Sequence, residues 1–347
     1  MYTAIYGIFV LLGLFIRERR AELIALLLAL GFLLLFMGTR YYVGCDYSGY
    51  LSRYDNTPVD ADWLYAFENP EPGFNLIMIG VVSSGLDYMW VNLICSAIMV
   101  LCWYRFLRHH DHQLMILALL FPIIVMQLGM SGLRQAIAVS MIMAASVPFS
   151  EGKKFQTFLW VLLAAQFHTS AYVFLPLGAL AGVNVSFGRV TWAALALLPL
   201  GLWLLSDRLE LYQDRYIEQV YGDQSSGGAV FRYFLMIPAT VLFFSKMQTF
   251  EKWYPKHFNS LKFWNLAIAA LFPLVFLSSF ALHRFNYYVM PFSIVTFVLV
   301  AQLLFLRRFH FVAVLLPPLF YGIYTIGWQA MSSHFRSCYE PYQSVLF

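Results

Sequence analysis

The chain has 347 residues, of which 61% are hydrophobic and 12% are charged, with a formal net charge of +4 and a mean hydropathy of +0.69. A soluble globular protein carries about 25% charged residues, so these polar side chains are too few to cover a water-facing surface. The composition therefore excludes a soluble globule and predicts a polytopic membrane protein. The positive charge lies mainly in loops, where it orients helices, and it does not indicate binding of nucleic acid.

The apolar runs are continuous and separated by short polar hairpins, which favours membrane-spanning helices over the alternating strands of a barrel. We expect an all-α polytopic membrane protein in which residues 1–347 form a single integral membrane domain. The first two spans are predicted at residues 2–16 and 21–38. The basic cluster at residues 17–20 is cytoplasmic by the positive-inside rule, so the N-terminus and the segment after the second span are external.

The external segment at residues 39–72 is long and acidic, and a short apolar stretch follows it. Residues 73–85 would not cross a bilayer comfortably at about 1.5 Å per residue, so we interpret them as a re-entrant or partial helix. This interpretation keeps the basic end of the next span, residues 88–107, in the cytoplasm. A basic cytoplasmic loop is expected at residues 246–262. The later spans alternate and bring the total to twelve; they are predicted at residues 114–128, 133–149, 155–167, 171–183, 190–205, 229–245, 263–280, 285–306 and 311–326.

A second external segment is predicted at residues 206–228. Its first part has apolar side chains at helical spacing, and a glycine-rich stretch follows at residues 222–228. We interpret this segment as an amphipathic lid with a flexible hinge. Both external segments are expected to contribute to one site.

Unusual polar residues collect at the external ends of the predicted helices. A charge inside a helix bundle commonly costs about 2.5–3.5 kcal/mol on insertion scales, so it usually faces a partner or a water-filled cavity. Cys45 and Cys338 are external as well and are able to pair, although the sequence does not fix the distance between them. The external polar residues are Arg40, Asp46, Glu71, Arg134, His168, His283, Arg284 and the tail motif Glu340-Pro341-Tyr342.

These residues belong to short motifs that follow one another along the chain. The motifs are Arg40-Tyr-Tyr-Val-Gly44-Cys-Asp46 with Tyr50, Glu71-Pro72-Gly73-Phe74, Arg134-Gln-Ala-Ile-Ala138, Phe167-His168-Thr169-Ser170-Ala171, Arg284 with Tyr287 and Tyr288, and Pro341-Tyr342. In order and spacing the set resembles the EpsG family of membrane proteins, which is similar in role to the Wzy O-antigen polymerases.

The resemblance implies a GT-C-like glycosyltransferase bundle that joins undecaprenyl-diphosphate-linked oligosaccharide repeat units in exopolysaccharide biosynthesis. It implies a site on the external, periplasmic face of the bacterial inner membrane. The implied partners are a lipid-linked donor and acceptor, membrane lipids, and the flippase and chain-length regulator of the same pathway. No cofactor, metal or nucleic acid is expected.

A lipid-diphosphate leaving group develops negative charge that must be neutralised. Arginine suits this task because it stays charged and its planar fork binds phosphate oxygens in two places. The candidates are Arg40, Arg134 and Arg284, which together could replace a divalent metal. Arg40 has a structural alternative, because it could simply snorkel at its helix end. The pair Asp60-Ala-Asp62 has metal-like spacing, but nucleotide sugars are absent outside the cell and we interpret the pair as structural.

The acceptor hydroxyl must lose a proton as it attacks, which requires a nearby base. We predict His168 as the general base, with Asp46 as the second candidate catalytic residue. The structural alternatives are a buried His168 satisfied by the backbone and an Asp46 that pairs with Arg40. Residues predicted to bind sugar or to support the site are Gln135, Glu71, His283, Tyr50, Tyr288 and Tyr342.

Two other functions fit a polytopic chain. A lipid-linked oligosaccharide flippase would also need many helices and a charged cavity, but such transporters usually show two related halves and this sequence has no internal repeat. A membrane acyltransferase would need a reactive histidine that is reachable from the cytoplasm, whereas His168 is predicted to be external.

Thiol labelling tests the predicted orientation. Single cysteines at Gly152 and Lys256 should be shielded from impermeant reagents in intact cells, because both positions lie in basic cytoplasmic loops. Cysteines at Asp55, Gln224 and Gln343 should react. Labelling at Lys256 without labelling at Gln224 would overturn the orientation and move the site to the cytoplasm.

Overall fold

The structure, a computed structural model, describes residues 1–68, 70–183, 186, 188, 227–304 and 310–346. In this part of the chain every regular element is a helix, and the only extended pairing is an isolated antiparallel bridge between Arg40 and Ser344. The prediction of an all-α protein is therefore confirmed for the described residues.

The helices follow the apolar runs of the sequence. In chain order they are α1 (Tyr2–Phe15), α2 (Arg19–Gly38), α3 (Tyr47–Asp55), α4 (Tyr65–Glu68), α5 (Pro72–Ser83), α6 (Met89–Leu107), α7 (Gln113–Leu120) with a π-helical continuation (Phe121–Gly129), α8 (Leu133–Ser150), α9 (Lys154–Ala165), a 3₁₀-helix (Thr169–Phe174), α10 (Leu177–Leu180), α11 (Gly227–Ser245), α12 (Met247–Trp253), α13 (Pro255–Ala270), α14 (Leu274–Leu277), α15 (Ser279–Leu303), α16 (His310–Met331) and α17 (Ser333–Cys338).

Seven helical segments of the described chain are long and apolar enough to cross a membrane, and each overlaps a predicted span. They are Arg19–Gly38, Met89–Leu107, Leu133–Ser150, Gly228–Ser245, Pro255–Phe276, Ala281–Leu303 and His310–Met331. Four further predicted spans coincide with shorter apolar helices, which are Tyr2–Phe15, Gln113–Gly129, Lys154–Ala165 and Thr169–Leu180. The last predicted span, residues 190–205, and residues 206–226 of the predicted lid lie outside the described residues. Length alone therefore supports seven of the twelve predicted spans.

The segment predicted to be a re-entrant or partial helix is α5. Its 12 residues rise about 18 Å, which falls short of a hydrocarbon core of roughly 30 Å. The helix begins at Pro72, because proline has no N–H to lose at a first helical position and its φ angle already suits the helix.

Two helices form the centre of the bundle. In the spans Leu133–Ser150 and Ala281–Leu303, 83% and 94% of the residues are buried, against 28–50% in the other five spans. Arg134 lies in the first turn of α8, and Arg284 lies in the second turn of α15. Gln135 donates a hydrogen bond to the Arg284 carbonyl at 2.9 Å, so these two helix starts lie side by side.

The C-terminal tail is fastened to the loop after α2. Cys45 and Cys338 form a disulfide with their Cα atoms 4.8 Å apart, so the pairing that the sequence allowed is present. The Tyr41 N–H donates to the Gln343 carbonyl at 3.0 Å and adds a backbone connection beside it. The long loop after α2 is therefore braced against the tail.

The same loop is pressed against the turn that precedes α8. Gly44 has φ +106°, and a Cβ atom built there would lie 1.8 Å from the Met130 carbonyl oxygen. Only glycine fits, because every other residue adds that atom and disfavours this backbone conformation. The Cys45 N–H donates to Ser131 Oγ at 3.0 Å. This packing brings Asp46 next to the start of α8.

The prediction of a basic loop at residues 246–262 is wrong. Helices α12 and α13 occupy that stretch, with only Tyr254 between them. Phe250 is fully buried and Leu261 almost fully, so the lysines alternate with an apolar face that packs into the core. A short amphipathic helix in a basic stretch is easily read as a loop from charge alone.

The disulfide reports the compartment of this end of the bundle. Disulfides persist in oxidising compartments and are rare in the cytosol, so protein alkylated in intact cells should migrate as the oxidised form. Reduction should change its mobility on a non-reducing gel. The change should survive in a variant that lacks the free cysteines Cys95 and Cys102 and should disappear in Cys45→Ser. Recovery of Cys45 and Cys338 as free thiols from cells would place this end in the cytoplasm.

Candidate functional site

The centre of the site is an ion pair between Glu71 and Arg134. Arg134 Nη1 donates to Glu71 Oε2, and the Glu71 side chain is only 2% exposed, against 32% for Arg134. The other Glu71 oxygen, Oε1, accepts a hydrogen bond from the Thr169 N–H at 3.3 Å. One carboxylate thus joins the start of α5, the start of α8 and the turn after α9.

The backbone around Glu71 is shaped to aim this carboxylate. Glu71 has φ 68° and ψ 58°, a left-handed conformation that is unusual for a residue other than glycine and costs of order 1–3 kcal/mol. The Gly73 N–H that follows donates to the Gln166 carbonyl at 2.9 Å, and a Cβ atom there would lie 3.1 Å from the same oxygen. Glycine therefore suits the close approach of this helix start to the end of α9, because a larger residue would require the neighbouring atoms to shift.

A cavity of 460 Å³ opens beside the ion pair. Two arginines line it, Arg53 from α3 and Arg134 from α8. Arg53 donates to Asn75 Oδ1 and lies over the Phe74 ring at 5.6 Å. Burial and the like charge of Arg134 lower the pKa of Arg53 below its usual value, so each cation makes the other more costly. A bound anion would relieve this repulsion.

Asp46 lies within electrostatic range of the same arginine. Loss of hydration raises the pKa of Asp46 above its ordinary value, and the Arg134 charge opposes that rise. The residue nevertheless keeps an exposed surface, so a ligand can reach its carboxylate. Arg134 also lies 5.8 Å from the Tyr50 ring centre, which closes the site on one side. Among the described residues Asp46 forms no ion pair with Arg40, so the pairing considered from sequence is absent.

His168 is oriented by its own turn. The Ser170 N–H donates to His168 Nδ1 at 3.3 Å, and Ser170 Oγ lies 2.6 Å from the same nitrogen. Tyr288 OH lies 2.9 Å from Ser170 Oγ and extends the chain. Since a backbone N–H only donates, Nδ1 is an acceptor and a neutral ring carries its proton on Nε2, a tautomer assigned from the hydrogen-bond network. The lone pair of Nδ1 is therefore engaged by Ser170 and is not free for the role of the predicted general base.

Two of the predicted residues lie in the structural joint between α2 and the tail. Arg40 is fully buried, and its guanidinium donates to the carbonyls of Met37 at 2.5 Å and Val43 at 3.0 Å. Tyr342 OH donates to the Phe36 carbonyl at 2.9 Å, and the two rings stack 4.7 Å apart. These contacts favour the structural alternative for Arg40 over direct contact with a ligand.

A second cationic group lies around His283. Its Nδ1 atom lies 2.5 Å from Arg232 Nη2, and Arg232 Nη1 donates to Gln127 Oε1 at 3.2 Å. The Arg232 guanidinium also lies 5.1 Å from the Tyr287 ring centre. We call Arg232, Gln127, His283 and Tyr287 the Arg232 cluster.

Arg53 and Arg232 were missed from sequence. Arg232 lies inside the apolar run of α11, and an ionisable residue within a span is by itself a signal of a functional site. Arg53 carried no such signal, because it belongs to a polar helix and is significant only through the cavity that it shares with Arg134. In the pair Asp60-Ala-Asp62, which has metal-like spacing, Asp62 Oδ1 accepts a hydrogen bond from the Tyr65 N–H at 3.1 Å. This contact agrees with the structural interpretation of the pair.

The comparisons with known proteins give one result. The family model described as EpsG family matches residues 23–344. No curated protein and no solved structure matches the chain.

The ion pair predicts an asymmetry between its two partners. Arg134→Met leaves the carboxylate of Glu71 buried with only the Thr169 N–H, which should cost about 3–5 kcal/mol of unfolding free energy. Glu71→Gln should cost less, about 1–3 kcal/mol, because Arg134 retains access to cavity water. The double variant should be more stable than Arg134→Met alone. Chemical denaturation in detergent measures all three, and the reverse order would show that Glu71 does not carry a buried charge.

Proposed function

The chain belongs to the EpsG family, and on that premise we propose that it is a glycosyltransferase that polymerises lipid-linked oligosaccharide repeat units. Membership in the family and the apolar helices indicate a membrane protein of polysaccharide biosynthesis. The proposed donor and acceptor are undecaprenyl-diphosphate-linked, as for the Wzy-like polymerases that the family resembles. We further propose that the helices form a GT-C-like bundle in the bacterial inner membrane.

The observation that carries the proposal is the shared cavity of Arg53 and Arg134. A diphosphate leaving group gains negative charge as its bond to the sugar breaks, and preorganised cations are the groups that stabilise such charge. Glu71 occupies one edge of the Arg134 guanidinium and holds it in place. The Arg134 side chain is 32% exposed and lines the cavity. Asn75 similarly holds Arg53. The guanidinium groups of Arg53 and Arg134 are thus both held in place before a ligand binds.

The reaction transfers the glycosyl group from the donor diphosphate to an acceptor hydroxyl. The acceptor oxygen forms a bond to the anomeric carbon, and the bond from that carbon to the diphosphate oxygen breaks with its electron pair. Arg53 and Arg134 neutralise the departing diphosphate. Asp46 takes the hydroxyl proton, since its carboxylate is accessible and a raised pKa makes it a stronger base.

The external location of the site is supported by two independent features. The Cys45–Cys338 disulfide lies next to Asp46, and disulfides form in oxidising compartments. The hairpin between α8 and α9, which lies at the far ends of those helices, carries Lys153 and Lys154 as cytoplasmic loops commonly do. Lipid-linked units would reach this site after a flippase has turned them outward, and a chain-length regulator would act on the product. Membrane lipids surround the bundle.

Polymer length in cells separates a polymerase from a flippase. Cells that lack the protein should lose long polysaccharide while single lipid-linked repeat units accumulate outside, where an impermeant glycosidase can degrade them. Accumulation of units that only become accessible after lysis would show that the chain transports the units and does not join them.

Arginine, and not a metal ion, is expected to neutralise the leaving group. Purified protein in vesicles should extend a lipid-linked repeat unit in the presence of EDTA. Arg53→Gln and Arg134→Lys should each lose at least tenfold in turnover, because a point charge or an amide lacks the two-pronged phosphate contact. Arg336→Gln, at an exposed external position, is the control and should be unaffected. Loss of turnover in EDTA that magnesium restores would refute the arginine-only account.

Asp46→Asn and His168→Gln separate the two candidate bases. Asp46→Asn should lower turnover by about 10²–10⁴-fold, the usual contribution of a general base. The wild-type rate should rise with pH through the raised pKa of Asp46, because the deprotonated carboxylate is the active form, and the asparagine variant should lose this rise. His168→Gln should keep it. Asp55→Asn, at the other end of α3, is the control. If His168→Gln loses the rise of rate with pH and Asp46→Asn keeps it, His168 is the base.

A further inference from the structure

Within the part of the chain that the structure describes, Arg232 is a buried cation without an anionic partner. It lies in the span Gly228–Ser245 and is only 7% exposed. Its two hydrogen-bond acceptors, Gln127 and His283, are both neutral groups, and its Nε atom has no hydrogen-bond partner. Neither ion pair found among the described residues includes Arg232. Arg134 is compensated by the carboxylate of Glu71, whereas no described carboxylate compensates Arg232.

A buried charge of this kind costs folding free energy unless an opposite charge or a ligand compensates it. Ionisable residues inside membrane bundles mark ligand and ion sites far more often than packing, because an apolar side chain would pack there at lower cost. The neighbours of Arg232 also suit an anion. His283 accepts at Nδ1 and so carries its proton on Nε2, and the guanidinium face is covered by the Tyr287 ring at 5.1 Å. The cluster thus has spare donors and no negative charge of its own.

We propose that the Arg232 cluster binds the diphosphate of a second lipid-linked substrate, separate from the one held by Arg53 and Arg134. The inference rests on the proposed function, because a polymerase must hold a donor and an acceptor at the same time. Tyr287 interacts electrostatically with both Arg232 and Asp46, and Asp46 interacts with Arg134. The proposed base is therefore within electrostatic range of both diphosphate sites.

The number of bound lipids tests the proposal. Native mass spectrometry of the full chain in detergent, titrated with a short polyprenyl diphosphate, should show two lipids per wild-type chain. Arg232→Met should bind one, and Arg53→Gln should bind one. The matched control is Arg105→Met, because Arg105 also lies over an aromatic ring, that of Trp160 at 5.5 Å, but at the end of α6 remote from the site. It should still bind two.

Stability distinguishes a ligand site from a packing role. Without lipid, Arg232→Met should melt at the wild-type temperature or above it, since it removes a buried charge, whereas a structural arginine would leave a destabilised variant. Polyprenyl diphosphate should raise the melting temperature of Arg232→Met less than that of wild type. Arg232→Lys, which keeps the charge, should recover part of that rise.

Each other outcome is decisive. A single site in wild type, or two sites that persist in Arg232→Met, overturns the second site and leaves the proposed function intact. Displacement of the second lipid by phosphatidylglycerol at equal concentration would make the cluster a phospholipid site and also overturn it. Failure of wild type to bind any polyprenyl diphosphate would remove the proposed function together with this inference.

Discussion

The ion pair between Glu71 and Arg134 is the contact on which the site depends. It connects the start of α5, the start of α8 and the turn after α9, three segments that are far apart in sequence. The carboxylate is buried, so its free energy is favourable only while both the guanidinium and the Thr169 N–H are in place. The left-handed backbone of Glu71 is tolerated for the same reason. Movement of any one segment would break the arrangement of the other two.

The loop after α2 is arranged around this pair by covalent and steric constraints. Gly44 allows the loop to touch the Met130 carbonyl, and the disulfide at Cys45 ties it to the tail. Asp46 follows directly and enters the field of Arg134. The proposed base is thus placed by its neighbours in sequence. Burial raises its pKa, and the charge of Arg134, 88 positions away along the chain, opposes that rise.

Three arginines show why residue type does not decide a role. Arg40 is buried and donates to the Met37 carbonyl at the end of α2 and to the Val43 carbonyl in the following loop, so it holds the two together. Arg134 has a carboxylate partner on one edge and a cavity on the other. Arg232 is buried among neutral groups. In sequence all three are isolated cations near apolar runs. In the structure their surroundings differ and favour a structural role for Arg40 and ligand binding for Arg134 and Arg232.

Composition and periodicity by themselves determined the all-α membrane class and the short helix at α5, and they predicted that most of the unusual polar residues collect at one end of the bundle. These follow from local physics, since apolar runs need helices and charge avoids the bilayer core. The disulfide was allowed by sequence, but its formation required two loops to meet across 293 positions. Tertiary structure alone decided which atoms face one another. It buried Arg40, fixed the proton of His168 on Nε2, exposed Asp46 and brought Arg53 to the cavity of Arg134. Each of these depends on contacts between distant segments, which no local pattern encodes.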